Sequence, residues 1–139
     1  MPIEILLAED DPAEVCLMRE ALAQSALDTR LNVVRDGIEL VDYLHRRGEY
    51  AAARRPDIIL LDLNMPRKSG AEALAEVKRD PAFRAIPIIV LTTSTSRDDV
   101  ARSYELCANC FITKPADLHR FFDIVRLMER FWFEAVTLP

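Results

Sequence analysis

The sequence predicts an α/β fold: a doubly wound, five-stranded parallel sheet covered by helices on both faces. Two observations carry that prediction. Strand-like and helix-like patterns alternate from one end of the chain to the other, and the strand-like runs are short and apolar. A strand with one wet face alternates apolar with polar residues, whereas Ile58-Ile59-Leu60-Leu61 and Ile88-Ile89-Val90-Leu91 do not alternate at all. A third observation concerns charge. Ile5-Leu6-Leu7-Ala8 runs straight into Glu9-Asp10-Asp11, and the run at 58–61 straight into Asp62. Carboxylates therefore stand where strands leave the core, which is where open parallel sheets bind ligands.

The elements follow in order. Strand one covers residues 4–8. Helix one spans 12–24, with Pro12 tolerated in its first turn and Val15, Met18 and Leu22 on one face. Strand two takes 30–34, and Asp36-Gly37 turns the chain into helix two at 38–47, with Leu40, Val41 and Leu44 inward. A loop through Gly48-Glu49-Tyr50 and Arg54-Arg55-Pro56 leads to strand three at 57–62. Helix three runs over 70–80 on a stripe of Ala73, Leu74 and Val77, and strand four over 88–91, ending at Thr92. Ser96 is placed to cap helix four at 97–106, with Asp98 and Asp99 at its positive end. Strand five is 110–113 and ends at Lys114-Pro115. The last helix begins near Asp117 and carries Leu118, Phe121, Phe122, Val125, Leu127 and Met128.

The chain has 139 residues, enough for one domain with a real core, and a single domain over 1–139 is expected, with a short tail at 132–139. A net charge of −5 argues against a general nucleic-acid footprint, which needs a basic face. Without a membrane-length apolar stretch or a leader-like segment, a cytoplasmic location is the expectation. Cys107 and Cys110 have C-x-x-C spacing, but the motif lies between a helix end and a strand start. Neither histidine is spaced to complete a zinc site, so the pair reads as structural.

In the strand order 2-1-3-4-5, the ends of strands one, three, four and five converge, bringing Glu9, Asp10, Asp62, Thr92 and Lys114 together. Crowded carboxylates repel one another unless a cation joins them. Mg²⁺ suits them, since it takes oxygen ligands and is held by one or two carboxylates plus a phosphate. Lys114 brings a charge that can pair with Asp62 at rest and with phosphate oxygens later, and Thr92 adds a hydroxyl. One at a time, such residues are ordinarily loop positions, helix caps and turns. Four strand ends with complementary chemistry point instead to attack on a phosphoryl group.

Four motifs carry a family resemblance: Leu6-Leu7-Ala8-Glu9-Asp10-Asp11, Leu60-Leu61-Asp62-Leu63-Asn64-Met65-Pro66 with Gly70, Leu91-Thr92-Thr93, and Thr113-Lys114-Pro115. Over nearly its whole length the chain resembles the receiver domain of two-component response regulators, with the flavodoxin-like (βα)5 fold. The resemblance implies that Asp62 accepts a phosphoryl group, that Asp10 binds Mg²⁺ directly and that Glu9 does so through water. It further implies a ligand role for the Asn64 backbone carbonyl, phosphoryl contacts from Thr92 and Lys114, a switch pair in Thr92 and Phe111, and a cis peptide between Lys114 and Pro115. Two departures from the family pattern stand out: Thr93 is bulkier than many members have there, and Phe111 replaces a common tyrosine, removing its phenol hydroxyl.

Pro66-Arg67-Lys68-Ser69-Gly70, the segment from Ala108 to Pro115, and the tail from Phe131 look like the small single-domain regulators paired with phytochromes. That narrower resemblance implies a phytochrome-type histidine kinase as phosphodonor. It also implies a homodimer through the face of helix four, strand five and helix five, with signalling by protein contacts. The expected protein is a signalling phosphoacceptor with self-catalysed transfer and autodephosphorylation rather than a conventional enzyme. The alternatives are a haloacid-dehalogenase-like Mg²⁺ phosphatase, which would want Asp-x-Asp where the chain has Asp10-Asp11-Pro12 and Asp62-Leu63-Asn64, and a receiver-like module that is never phosphorylated. A flavin binder lacks support, because the loop after strand one is acidic where a phosphate cradle would donate hydrogen bonds.

Overall fold

The apolar runs at 5–8, 58–61 and 88–91 become the centre of the sheet. The computed structural model describes residues 2–139, with strands β1 (Ile3–Ala8), β2 (Thr29–Val34), β3 (Ile58–Leu61), β4 (Ile88–Thr92) and β5 (Cys110–Thr113). All pairings are parallel and the order is β2-β1-β3-β4-β5, as expected. Helices α1 (Pro12–Ala23), α2 (Gly37–Leu44), α3 (Gly70–Arg79), α4 (Arg97–Glu105) and α5 (Leu118–Met128) make the crossovers.

Strand pleat divides the apolar residues between two cores. Leu6, Ala8, Ile59, Leu61, Ile88 and Val90 face Leu40, Leu44, Ala73, Leu74 and Val77 of α2 and α3. Their strand neighbours Ile5, Leu7, Ile58, Leu60, Ile89 and Leu91 face Met18 and Leu22 of α1 and Phe121, Val125 and Met128 of α5. Both faces are dry, so the central strands have no polar alternation to show. Each buried Leu, Ile, Val, Met or Phe among them contributes about 1.5–3 kcal/mol relative to exposure.

The helices start where side chains can satisfy their first amides. Asp11 accepts from the Ala13 amide at 2.9 Å, Asp36 from Glu39 at 2.8 Å, Ser96 from Asp99 at 3.3 Å and Asp117 from His119 at 2.8 Å. Ser69 and Glu72 close a reciprocal capping box on α3.

Four expectations are corrected. Helix α2 stops at Leu44 rather than at residue 47, because Arg46 adopts a left-handed φ of 56° and ends the helical path. Strand β3 does not include Asp57, whose carboxylate instead accepts from the Glu4 amide at 2.8 Å. Residues 132–135 are not tail: after α5 the chain continues through wide π-type turns over Glu129–Ala135, and the Val136 amide reaches the Phe131 carbonyl at 2.8 Å. There Trp132 and Phe133 pack on the α1/α5 core, while Phe131 and Leu127 point outward, 56% and 60% exposed. Finally, the Lys114–Pro115 peptide is trans, as is every peptide among the described residues, in line with the general trans preference of such bonds.

Candidate functional site

The site forms where β1, β3, β4 and β5 end, and backbone hydrogen bonds set it. The Glu9 amide donates to Val34 O at 2.9 Å and the Asp62 amide to Ala8 O at 3.1 Å, so each acid begins where its ladder stops. At the other side, the Lys114 amide donates to Thr92 O at 2.6 Å. Because Leu61 lies opposite Val90, and Leu91 opposite Ile112, the strands release Asp62, Thr92 and Lys114 at one edge.

Asp62 needs a particular neighbour to keep its place. The loop after it returns so closely that a β-carbon at Gly70 would stand 2.1 Å from the Asp62 carbonyl oxygen, and the Gly70 amide donates to Leu63 O at 3.0 Å. Only glycine fits that approach. Farther along the same loop, Arg67 Nε donates to Asp36 Oδ2 at 2.6 Å and fastens the loop to the start of α2. The Asn64 amide donates to Asp62 Oδ1 at 3.2 Å, which orients the carboxylate and sets Asn64 beside it.

Carboxylate oxygens of Glu9, Asp10 and Asp62 lie within 4.8 Å of one another. Glu9 and Asp62 are buried and Asp10 is exposed. The Lys114 amine stands among them, 2.5 Å from Glu9 Oε1 and 3.8 Å from Asp62 Oδ2. It also pairs with Glu14 Oε2. Lys114 thus favours Glu9 and Glu14 over Asp62, a correction to the simple Asp62–Lys114 pairing expected at rest.

Glu14 is the site residue that the sequence reading missed. It is the third residue of α1, whose start is fixed by Asp11 and Pro12, and helical side chains lean back toward the N-terminus. That lean aims it at the strand ends. A glutamate three places after a strand-end capping residue was the available signal.

The charges do not balance. Four carboxylates (Glu9, Asp10, Glu14, Asp62) meet one ammonium. Burial pushes the Glu9 carboxyl up to about 8, helped by its hydrogen bond with Glu14 and by Asp62, against the pull of Lys114. Burial also acts on Glu14, but the hydrogen bonds from Glu9 and Lys114 hold it below the usual carboxylate range. Lys114 loses solvation too, yet Glu14 and Glu9 keep its pKa above the ordinary lysine value. An all-oxygen donor set, crowded enough to keep a proton on Glu9, fits a hard divalent cation.

Thr92 is fully buried, and its hydroxyl oxygen accepts from the Ser94 amide at 3.4 Å. Ser94 is tied in turn to Asp99 at 2.5 Å and, through its carbonyl, to the Thr113 hydroxyl at 3.0 Å. Phe111 packs half-buried against the α2/α3 core, and its amide donates to the Tyr104 hydroxyl of α4 at 3.1 Å. Since β5 is an edge strand, that phenol satisfies an amide that no neighbouring strand can reach.

Comparison with known proteins agrees with this geometry. Residues 5–126 match the response regulator receiver domain. The chain belongs to the response regulator receiver family. The match sets aside the dehalogenase-type alternative. Response regulator Rcp1 of Synechocystis sp. is 48% identical over 138 residues, spanning 99% of this chain and 94% of Rcp1. The crystal structure of the phosphorylated cyanobacterial phytochrome response regulator RcpA superposes with a TM-score of 0.96 at 50% identity, covering 100% of this chain and 99% of RcpA. The Mn²⁺-bound form of Rcp1 gives a TM-score of 0.94 at 48% identity, with 99% of each chain covered. The chain is thus a receiver related to phytochrome response regulators.

Proposed function

We propose that the protein is a single-domain response regulator whose Asp62 accepts a phosphoryl group from a phytochrome-type histidine kinase in a Mg²⁺-dependent reaction. The observation that carries this reading is the convergence of Glu9, Asp10 and Asp62 beside Lys114. Its similarity to a phosphorylated phytochrome response regulator and to a Mn²⁺-bound one supports it.

In the transfer step a carboxylate oxygen of Asp62 attacks the phosphorus of the donor phosphohistidine. The new O–P bond forms as the N–P bond breaks, and the imidazole leaves with the electron pair and takes up a proton. Glu9 and Asp10 with Asp62 would hold the divalent ion, joined by the Asn64 carbonyl, and the ion would offset charge on the phosphoryl oxygens. Lys114 binds one phosphoryl oxygen as an ammonium, and the Thr92 hydroxyl donates to another. Drawing Thr92 inward opens space beside β4 into which Phe111 repacks, and the face of α4, β5 and α5 changes shape.

Output then passes by protein contact, through a homodimer on the α4–β5–α5 face, in the cytoplasm. The outward Leu127 and Phe131 leave apolar surface at and just beyond the end of α5. No helix among the described residues is long and apolar enough to cross a membrane.

The test is phosphoryl uptake from acetyl phosphate, read by intact mass, with and without Mg²⁺. The wild-type chain gains one phosphoryl group only with Mg²⁺, and Asp62→Asn gains none. Uptake that survives in Asp62→Asn moves the acceptor elsewhere.

A further inference from the structure

We propose that Glu14 is a positioning residue for phosphoryl transfer to Asp62: its carboxylate holds the Lys114 amine toward α1 in the resting protein, and uptake requires Lys114 to leave it. This inference rests on Asp62 being the acceptor. It begins with how few partners Lys114 has. The side chain is only 8% exposed, its amine bonds Glu14 Oε2 and Glu9 Oε1, and it stops 3.8 Å short of Asp62. An ammonium has three donors, and here two are spent on groups other than the acceptor.

Glu9 and Glu14 are not equivalent as holders. Glu9 shares the three-carboxylate cluster with Asp10 and Asp62, and Glu14 lies outside it. A cation bound by the cluster therefore competes with Lys114 for Glu9 but leaves the Glu14 contact intact. The Glu14 arm is fixed at its root, since α1 is capped by Asp11 and its Met18 and Leu22 pack in the core that holds Phe121 and Val125 of α5. Its far end is not packed in: Glu14 and Lys114 border one cavity together with Leu17, Thr93 and Pro115, so open space lies beside the contact.

The energetic consequence is direct. A contact made in the resting state and given up in the transition state deepens the starting well and slows the step. Glu14 therefore sets the uptake rate, and the closing of the contact on dephosphorylation returns Lys114 to α1.

Two substitutions separate reach from charge. Glu14→Gln removes the carboxylate charge, whereas Glu14→Asp keeps the charge on an arm one methylene shorter. We expect both to take up phosphoryl from acetyl phosphate faster than wild type, roughly threefold to tenfold, the size of a partly exposed charge-assisted contact. In the metal-free proteins, the Lys114 side-chain amine resonance should also shift in both variants. Repulsion of the anionic donor by Glu14 predicts instead that Glu14→Asp matches wild type in rate, and that result overturns the proposal. Unchanged rates with an unmoved Lys114 resonance overturn it as well. A wild-type chain that never takes up phosphoryl defeats the acceptor reading itself, a result distinct from either.

Discussion

Lys114 Nζ donates to Glu9 Oε1 at 2.5 Å, from the end of edge strand β5 to the end of β1. This contact spans 105 residues of sequence and joins two side chains that are nearly devoid of solvent. Removing one partner of a buried pair leaves the other charge uncompensated. Lys114→Met should destabilise the metal-free protein by roughly 1–3 kcal/mol in urea denaturation at pH 8. The loss should shrink at pH 6, where Glu9 carries a proton.

Glu9 also dictates how stability and metal binding follow pH. Its folded pKa of about 8 lies above the ordinary 4.5, so the native protein binds the extra proton between these values. Stability from this group is therefore complete below pH 4.5 and is lost as pH rises through about 8. A divalent ion must displace that proton, so apparent Mg²⁺ affinity should climb between pH 6 and 8, by at most about tenfold per pH unit. Titration followed by intrinsic fluorescence or calorimetry checks the slope, and a flat profile contradicts the assignment of Glu9.

Gly70 lies against the Asp62 backbone with no room for a side chain. With a β-carbon 2.1 Å from the Asp62 carbonyl oxygen, Gly70→Ala forces the loop or the strand end to shift. We expect a loss of roughly 1–3 kcal/mol and slower phosphoryl uptake, since the carboxylate of Asp62, the proposed acceptor, moves with its backbone. Wild-type stability together with wild-type uptake would refute the tight approach.

Burial separates two leucines that the sequence does not distinguish. Leu60→Ala opens a cavity in a fully buried strand and should cost about 2–5 kcal/mol, whereas Leu127→Ala, at an outward position, should stay within about 0.5 kcal/mol. Chemical denaturation of the two variants decides it.

Much of this was written plainly in the chain. The unbroken apolar runs around Leu6, Leu60 and Ile89 identified the central strands, and the acids and lysine at their ends marked residues that the structure brings together at one edge. The rest depended on information that sequence spacing does not hold. Glu14 enters the site through the direction in which α1 aims its first turn, and Leu127 faces outward because the rotation of α5 buries Phe121, Val125 and Met128 instead. The π-type turns over 129–135 follow from Trp132 and Phe133 reaching the α1/α5 core, a tertiary effect that overrides the local reading of a tail.

The outward Phe131 and Leu127 bear on the proposed homodimer. Replacing Phe131 by Glu puts a charge into any apolar contact that covers it, and sedimentation should then show monomer at concentrations where the wild-type chain associates. A wild-type chain that is strictly monomeric with and without the phosphoryl mimic beryllofluoride removes the dimer from the account.

The most direct test of the central claim is chemical mapping of the acceptor. After phosphorylation by acetyl phosphate with Mg²⁺, borohydride reduction converts a phosphorylated aspartate to homoserine, which peptide mass spectrometry locates. The account predicts homoserine at position 62 alone; homoserine at position 10 or 11, with Asp62 intact, would contradict it.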